Sequence, residues 1–182
     1  MVYAAERARL AFIVNVVIDR DKRIVKAFAG AERPTHSAGC DFLSNICKVS
    51  VPEADIAITS NGGHPLDQNI YQSVKGMTAA EAATREGGVI ITCIECADGT
   101  GGDSFYRSLS ECESVEKLYA QFMATPQLET IPDQWESQIL ARILMKHSVI
   151  MVTRPALRTM VEEMKMRYAP TVEAALAMAR EL

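Results

Sequence analysis

A glutamine and a lysine three residues apart have the types and spacing to bind a carboxylate. Gln72 and Lys75 follow an apolar segment, Ala54–Thr59, and a glycine-containing loop. Residues three apart lie on the same face of a helix, and Ile70 and Val74 would form the opposite, core-facing stripe. An ammonium supplies a compact positive charge, and an amide both donates and accepts hydrogen bonds. The pattern predicts a short helix that presents these two side chains to an anionic ligand.

The loop before this helix would form the rim of such a site. Its two glycines allow positive φ angles and a close approach of the backbone to a ligand. None of the histidines of the chain, at positions 36, 64 and 147, has a partner at metal-binding or catalytic spacing. We predict no catalytic residue and no metal ligand in this chain. The predicted rim is Asn61, Gly62, Gly63 and His64.

The single tryptophan, Trp135, lies near the start of a predicted helix that Asp133 and Glu136 would cap. It could pack against the domain as an ordinary amphipathic residue. It could instead form a wall of the site, because the amino end of a helix also favours anions. The residues alone leave both interpretations open.

Two further motifs have a structural interpretation that we favour. Cys93 and Cys96 form a C-x-x-C pair, but they end an apolar strand whose alternation turns them to opposite faces. A redox enzyme is therefore the weakest alternative. Cys40 and Cys47, on a predicted helix, are expected to be buried thiols. The glycine-rich segment 98–103 lacks the features of a phosphate-binding loop and is predicted to be a tight turn.

Strands and helices alternate along the chain, which is typical of an α/β fold with a mainly parallel sheet. We predict one domain over residues 1–182, with helices flanking the sheet and an N-terminal β-hairpin at its edge. Gly76 is predicted to end the Gln72 helix, and Thr78 to open another through a capping box. Ligands collect at the carboxyl ends of parallel strands. The loops predicted there are 60–67, 96–104 and 153–154.

Composition narrows the possible functions of the 182 residues. A net charge of −4 gives no basic surface for nucleic acid, so no nucleic-acid partner is expected. No apolar run approaches the ~20 residues that span a bilayer, so no membrane association is expected. The chain starts without the apolar region of a signal peptide. We therefore expect a cytoplasmic protein.

The segment around Gln72 resembles a known family. Its residues 60–77 read Ser-Asn-Gly-Gly-His-Pro-Leu-Asp-Gln-Asn-Ile-Tyr-Gln-Ser-Val-Lys-Gly-Met. This is similar to the C-terminal domain of the nickel-dependent lactate racemase family, as are segments 27–30, 38–40, 86–91 and 95–99. The family usually has a tyrosine where this chain has His64. The resemblance implies that Lys75 and Gln72 bind the substrate carboxylate and that Trp135 lines the active site.

The same resemblance implies a second lobe. Members of the family carry a nickel-pincer nucleotide and two histidines that exchange the proton in an N-terminal domain, and hydride passes between the substrate Cα and the cofactor. None of those motifs occurs here. We therefore expect the C-terminal lobe of a 2-hydroxy-acid racemase or epimerase, inactive alone, whose partners are its N-terminal lobe and a small 2-hydroxy acid. The alternative is a non-catalytic α/β module that binds a small anion or mediates assembly.

Overall fold

The computed structural model describes residues 2–182 and divides the chain into two compact units. The first unit ends at Val51, and the second is Pro52–Leu182. Each is described by itself below. The single domain predicted over the whole chain stays a prediction.

The first unit is a β-hairpin with a helix packed on it. Its strands pair antiparallel from Ile13↔Gly30 to Ile18↔Ile24, and Phe28 and Phe42 meet edge to face with ring centroids 5.8 Å apart. The predicted N-terminal hairpin is present and forms a two-stranded sheet of its own. The elements are α1 (Val2–Arg7), β1 (Ile13–Ile18), β2 (Ile24–Gly30) and α2 (Glu32–Cys47).

The second unit contains the parallel sheet and the helices that flank it. Short 3₁₀ turns occur at Gln127–Glu129 and Pro155–Leu157. The elements are β3 (Ala54–Thr59), α3 (Ile70–Glu81), β4 (Thr84–Cys93), α4 (Asp103–Ser110), α5 (Val115–Ala124), α6 (Gln134–Lys146), β5 (Ser148–Val152), α7 (Arg158–Glu163), β6 (Arg167–Ala169) and α8 (Val172–Ala179).

The four strands of this sheet are all parallel and follow the order of the chain, β3-β4-β5-β6. The central strands are nearly continuous apolar runs because both of their faces are covered. One face carries Ile90 and Met151 into a core built with α3, α4, α5, α6 and α7, and the other carries Ile91 and Ile150 into a smaller core with α8. These four side chains are all fully buried. The α/β class with a mainly parallel sheet is confirmed.

Helix α3 is longer than predicted. It continues through Gly76 and Thr78 to Glu81, so the predicted C-cap and capping box were both wrong. Thr78 Oγ1 donates to the carbonyl of Val74, 2.9 Å away, and thus bonds to the turn before it instead of opening a new helix. Gly76 is explained by close packing, described below.

The predicted capping box of α6 does not form. Asp133 has a left-handed backbone (φ 62°), and its side chain makes no cap hydrogen bond. The side chain of Glu136 is turned inward and is 1% exposed. In the same turn Gln134 Oε1 accepts from the amide of Ile131 at 3.3 Å.

Cys40 and Cys47 are exposed, so the expectation of buried thiols there was wrong. The first unit buries a single residue, Thr35, among the residues described, which leaves α2 with little interior to face. Thr171 caps α8 by accepting from the amide of Ala174 at 3.2 Å. Over residues 2–182, no helix has both the length and the apolarity to cross a membrane.

Candidate functional site at the carboxyl end of strand β3

Lys75 and Gln72 lie side by side on the outer face of α3. Lys75 Nζ donates to Gln72 Oε1 at 2.6 Å, and the Lys75 side chain is exposed. On the opposite face Ile70 and Val74 are buried, as the spacing predicted. Because Gln72 Oε1 accepts from the lysine, the amide NH₂ group of Gln72 is the part of this side chain that can donate to a ligand. Together the two side chains offer positive charge and hydrogen-bond donors, the features that bind a carboxylate.

Asn61 connects the rim loop to this helix. Its Nδ2 donates to the carbonyl of Leu66 at 2.9 Å and also to the carbonyl of Gln72. A Cβ on Gly76 would overlap Asn61 Oδ1, which explains a glycine in the middle of the helix. Asn61 therefore fixes the loop against the turn that carries Gln72. A shallow pocket opens here, lined by Ser60, Asn61, Leu66, Gln72, Lys75 and Gly76.

The amino end of α3 is closed by its own chain. The amides of Ile70 and Tyr71 donate to the carbonyls of Gly99 and Thr100, each at 3.0 Å, and Asn69 Oδ1 accepts from the amide of Gln72 at 3.0 Å. These amides are the groups that would otherwise bind an anion at a helix terminus. The glycine-rich segment 98–103 thus serves as a structural turn. Anion binding at α3 depends on side chains instead.

An aromatic group lies beside the lysine face. Tyr71, one turn before Lys75, makes edge-to-face contacts with Phe105 and Trp135 at centroid distances of 5.4 and 5.9 Å. Phe105 is fully buried, whereas Trp135 is 54% exposed. Burial raises the pKa of the Tyr71 hydroxyl, and the negative charges of Glu136 and Asp133 raise it further. Trp135 is therefore anchored by Tyr71 and still presents much of its ring to solvent.

Glu136 is a buried carboxyl group next to this aromatic group. Its Oε1 has no hydrogen-bond partner within residues 2–182. Burial raises the pKa of Glu136 to about 7, with Lys75 lowering it and Asp133 raising it. Removal from water disfavours the ionised carboxylate, and the nearby ammonium compensates only in part.

The C-x-x-C pair belongs to the interior. Cys96 packs in the larger core and Cys93 against the smaller one, so the two thiols lie on opposite faces of the sheet, as expected. Burial raises the pKa of the Cys96 thiol to about 12 and also raises that of Cys93. Thiols with raised pKa values are unreactive at neutral pH. The redox alternative thus loses its support.

Residues 2–182 contain no donor set for nickel. Within the part of the chain that the structure describes, no three His, Cys, Asp or Glu side chains come together in a way that could hold a metal ion. The residues present therefore do not fit a metal centre.

The structure brings some of the predicted site residues together. Lys75, Gln72 and Asn61 meet at one pocket, and Trp135 is joined to α3 through Tyr71. Gly62, Gly63 and His64 lie in the same loop but outside the lining of that pocket; the two glycines have φ angles of 82° and 90°. Sequence reasoning missed Tyr71 and Glu136. Tyr71 precedes Lys75 by four residues, and this spacing was an available signal.

A sequence profile and two relatives that match the whole of this chain point to one family. The sequence profile described as "Lactate racemase C-terminal domain" matches residues 49–182. The chain is 53% identical over 182 residues to a lactate racemase of Thermoanaerobacterium thermosaccharolyticum, and 50% identical over 183 aligned residues to one of Lactiplantibacillus plantarum. All of this chain is matched in both cases, but it spans only 43% of the length of each relative.

Solved structures agree. The lactate racemase apoprotein from T. thermosaccharolyticum superposes with a TM-score of 0.93 over 99% of this chain and 43% of its own length, at 53% identity. A Thermotoga maritima protein with 13% identity has a TM-score of 0.56 over 87% of this chain and 42% of its own, which shows a shared fold alone. The chain therefore belongs to the lactate racemase family and corresponds to its C-terminal domain.

Proposed function

We propose that this chain is the carboxylate-binding lobe of a 2-hydroxy-acid racemase or epimerase of the lactate racemase type. The observation that carries the proposal is the Lys75–Gln72 pair, hydrogen-bonded at 2.6 Å on the open face of α3. The 53% identity to a lactate racemase gives the pair its context.

In this proposal Lys75 supplies the positive charge that attracts the substrate, and Gln72 orients the substrate through a hydrogen bond. The ammonium attracts the substrate carboxylate, and the NH₂ group of Gln72 donates to a carboxylate or hydroxyl oxygen. Asn61 holds the backbone of Gln72, which limits the motion of the pair. Trp135 forms an apolar wall that excludes water from one side of the substrate.

The nickel-pincer nucleotide and the groups that move the proton belong, in this proposal, to an N-terminal lobe. No donor set on residues 2–182 fits the metal, so no step on this chain involves it. Apolar side chains of the first unit support a contact with that lobe. Phe12, Val14 and Ile24 are each more than 60% exposed, although they lie in or beside strands. The cytoplasmic location stays a prediction.

Substitution of Lys75 tests the proposal in the complete enzyme. A charged hydrogen bond to substrate is worth roughly 1.5–3 kcal/mol, so Lys75→Ala should lower kcat/KM about 10- to 100-fold and raise KM. The readout is steady-state racemisation of each enantiomer. Lys146→Ala is the matched control, since Lys146 is exposed at the far end of α6, and it should stay within about twofold of wild type. Unchanged kinetics in Lys75→Ala would remove the lysine from the site.

A second test concerns the chain by itself. Because the proton-transfer groups are assigned to the other lobe, the 182 residues alone should show no racemisation even when cofactor is supplied. Racemisation by the chain alone would contradict the assignment of the proton-transfer groups to the other lobe.

A further inference from the structure

Glu136 stands out because a buried carboxyl group normally has partners. Its side chain is 1% exposed, and Oε1 has no hydrogen-bond partner in the described chain. An unpaired polar atom in the interior costs stability and is rare in native structures, which indicates a specific role for this carboxyl group. It also lies in the first turn of α6, next to Trp135.

The groups that face Glu136 are those of the proposed site. Lys75 and Tyr71 interact with it electrostatically from α3, and Asp133 does so from the turn before α6. Lys75 Nζ donates to Gln72 Oε1, whereas Glu136 Oε1 has no hydrogen-bond partner among the described residues. The positive charge of Lys75 thus interacts with Glu136 as well as with any anionic ligand.

We infer that Glu136 is a positioning residue for Lys75: its carboxyl group competes with the substrate carboxylate for the ammonium, and substrate binds best when Glu136 carries a proton. This inference rests on the proposed function of Lys75. An ionised Glu136 would draw the ammonium inward and repel the arriving anion, and both effects weaken binding. A protonated Glu136 does neither.

Thermodynamic coupling between proton binding and substrate binding gives the direction in which substrate affinity changes with pH. If protonation of Glu136 favours substrate, then substrate favours protonation by the same factor, and such couplings are typically 5- to 150-fold. Burial already raises the pKa of Glu136 to about 7, so the change falls within the working range of many enzymes. Affinity for substrate should fall as pH rises through about 7.

The test measures KM from pH 6 to 8.5 in the complete enzyme, for wild type and Glu136→Gln. Glutamine keeps the shape of the side chain and cannot ionise. Other titrating groups affect both proteins alike, so the ratio of the wild-type KM to that of the variant isolates Glu136. That ratio should rise about tenfold across the range. Glu116→Gln, at an exposed position in the first turn of α5, is the control and should leave KM within about twofold at each pH.

The outcomes distinguish the role of Glu136 from the proposed function of Lys75. A flat ratio, with Lys75→Ala still raising KM, overturns the role of Glu136 and leaves the proposed function standing. If Lys75→Ala has no effect, both fall.

A second readout does not depend on activity. Trp135 is the only tryptophan of this chain and adjoins Glu136, so its fluorescence in the 182-residue protein should titrate with a midpoint near pH 7. Glu136→Gln should abolish that transition while the far-UV circular dichroism stays the same. An unchanged transition in the variant contradicts the inference.

Discussion

At the scale of single residues, the site combines an exposed charge with a buried one. Lys75 is exposed and hydrogen-bonded to Gln72, whereas Glu136 is buried and its Oε1 has no hydrogen-bond partner among the described residues. A carboxyl group in such a position reduces the stability of the fold at neutral pH. Its presence beside Lys75 and Trp135 fits a functional role, since titratable groups with shifted pKa values concentrate at functional sites.

This arrangement predicts how stability depends on pH. The usual pKa of a glutamate is about 4.3, and burial raises that of Glu136 to about 7. Between these values the unfolded chain releases the proton and the folded chain keeps it, so the free energy of unfolding falls as pH rises and levels off above 7. The Glu136→Gln variant has no ionisable group at this position, so its free energy of unfolding does not fall in this way as pH rises. Relative to wild type, it should gain about 2–3 kcal/mol between pH 5 and pH 8 in urea unfolding of the 182-residue chain.

The exposed Glu116→Gln again provides the comparison and should show no such gain. A stability difference between Glu136→Gln and wild type that does not change with pH would mean that the Glu136 carboxyl is solvated in the folded protein.

At the scale of elements, helix α3 and the loop before it act as one piece. Asn61 bonds to carbonyls of both, and Gly76 leaves the space that Asn61 occupies. The two backbone segments can approach only because position 76 has no side chain.

A pair of glycine substitutions tests this packing. Alanine in place of a helical glycine normally stabilises by about 0.5–1 kcal/mol. Gly39→Ala in α2 should do so, because its Cβ would meet Phe28 no closer than 3.7 Å. Gly76→Ala should instead destabilise by about 1–3 kcal/mol, since Asn61 is held by two hydrogen bonds and cannot easily give way.

Thermal or urea unfolding of both variants measures the contrast. In the complete enzyme, Gly76→Ala should also raise KM, because it displaces the loop that positions Gln72. If both alanines stabilise equally, Asn61 moves freely and does not fix the loop.

Helices α3 and α6 and strand β6 show which features the sequence predicts and which depend on tertiary packing. Periodicity placed Gln72 and Lys75 outside and Ile70 and Val74 inside, because side-chain spacing on a helix is a local property. Gly76 was misread as a helix end because the reason for it, Asn61, lies fifteen positions away and belongs to tertiary packing. Glu136 was misread as a capping residue for the same reason, and the three-residue strand β6 is too short to carry a pattern.

At the scale of the whole molecule, the two units differ in how much they bury. Both hydrophobic cores consist of residues from the second unit. In the first unit Thr35 is the sole buried residue among those described, and many of its strand residues are exposed. Stability of the chain should therefore come from Pro52–Leu182.

Truncation makes this measurable. Residues 52–182 should keep a cooperative unfolding transition, because they contain both cores. They should also bind less of the hydrophobic dye ANS than the 182-residue chain, since the exposed apolar strands are removed. The complete enzyme should bind little ANS, because we propose that the other lobe covers those strands. Loss of cooperative unfolding on truncation would show that the first unit is needed for the fold.

The sequential order of the parallel strands also affects the rates at which backbone amide hydrogens exchange with solvent. β4 and β5 each have a hydrogen-bonded neighbour on both sides, whereas β3 and β6 each have one free edge. Amide hydrogens of Ile90, Ile91 and Ile150 should then exchange with deuterium only when the whole second unit opens. Those of the outer strands should exchange through smaller openings. The loop that carries Asn61 follows an outer strand, so the candidate site lies where the protein can rearrange without unfolding.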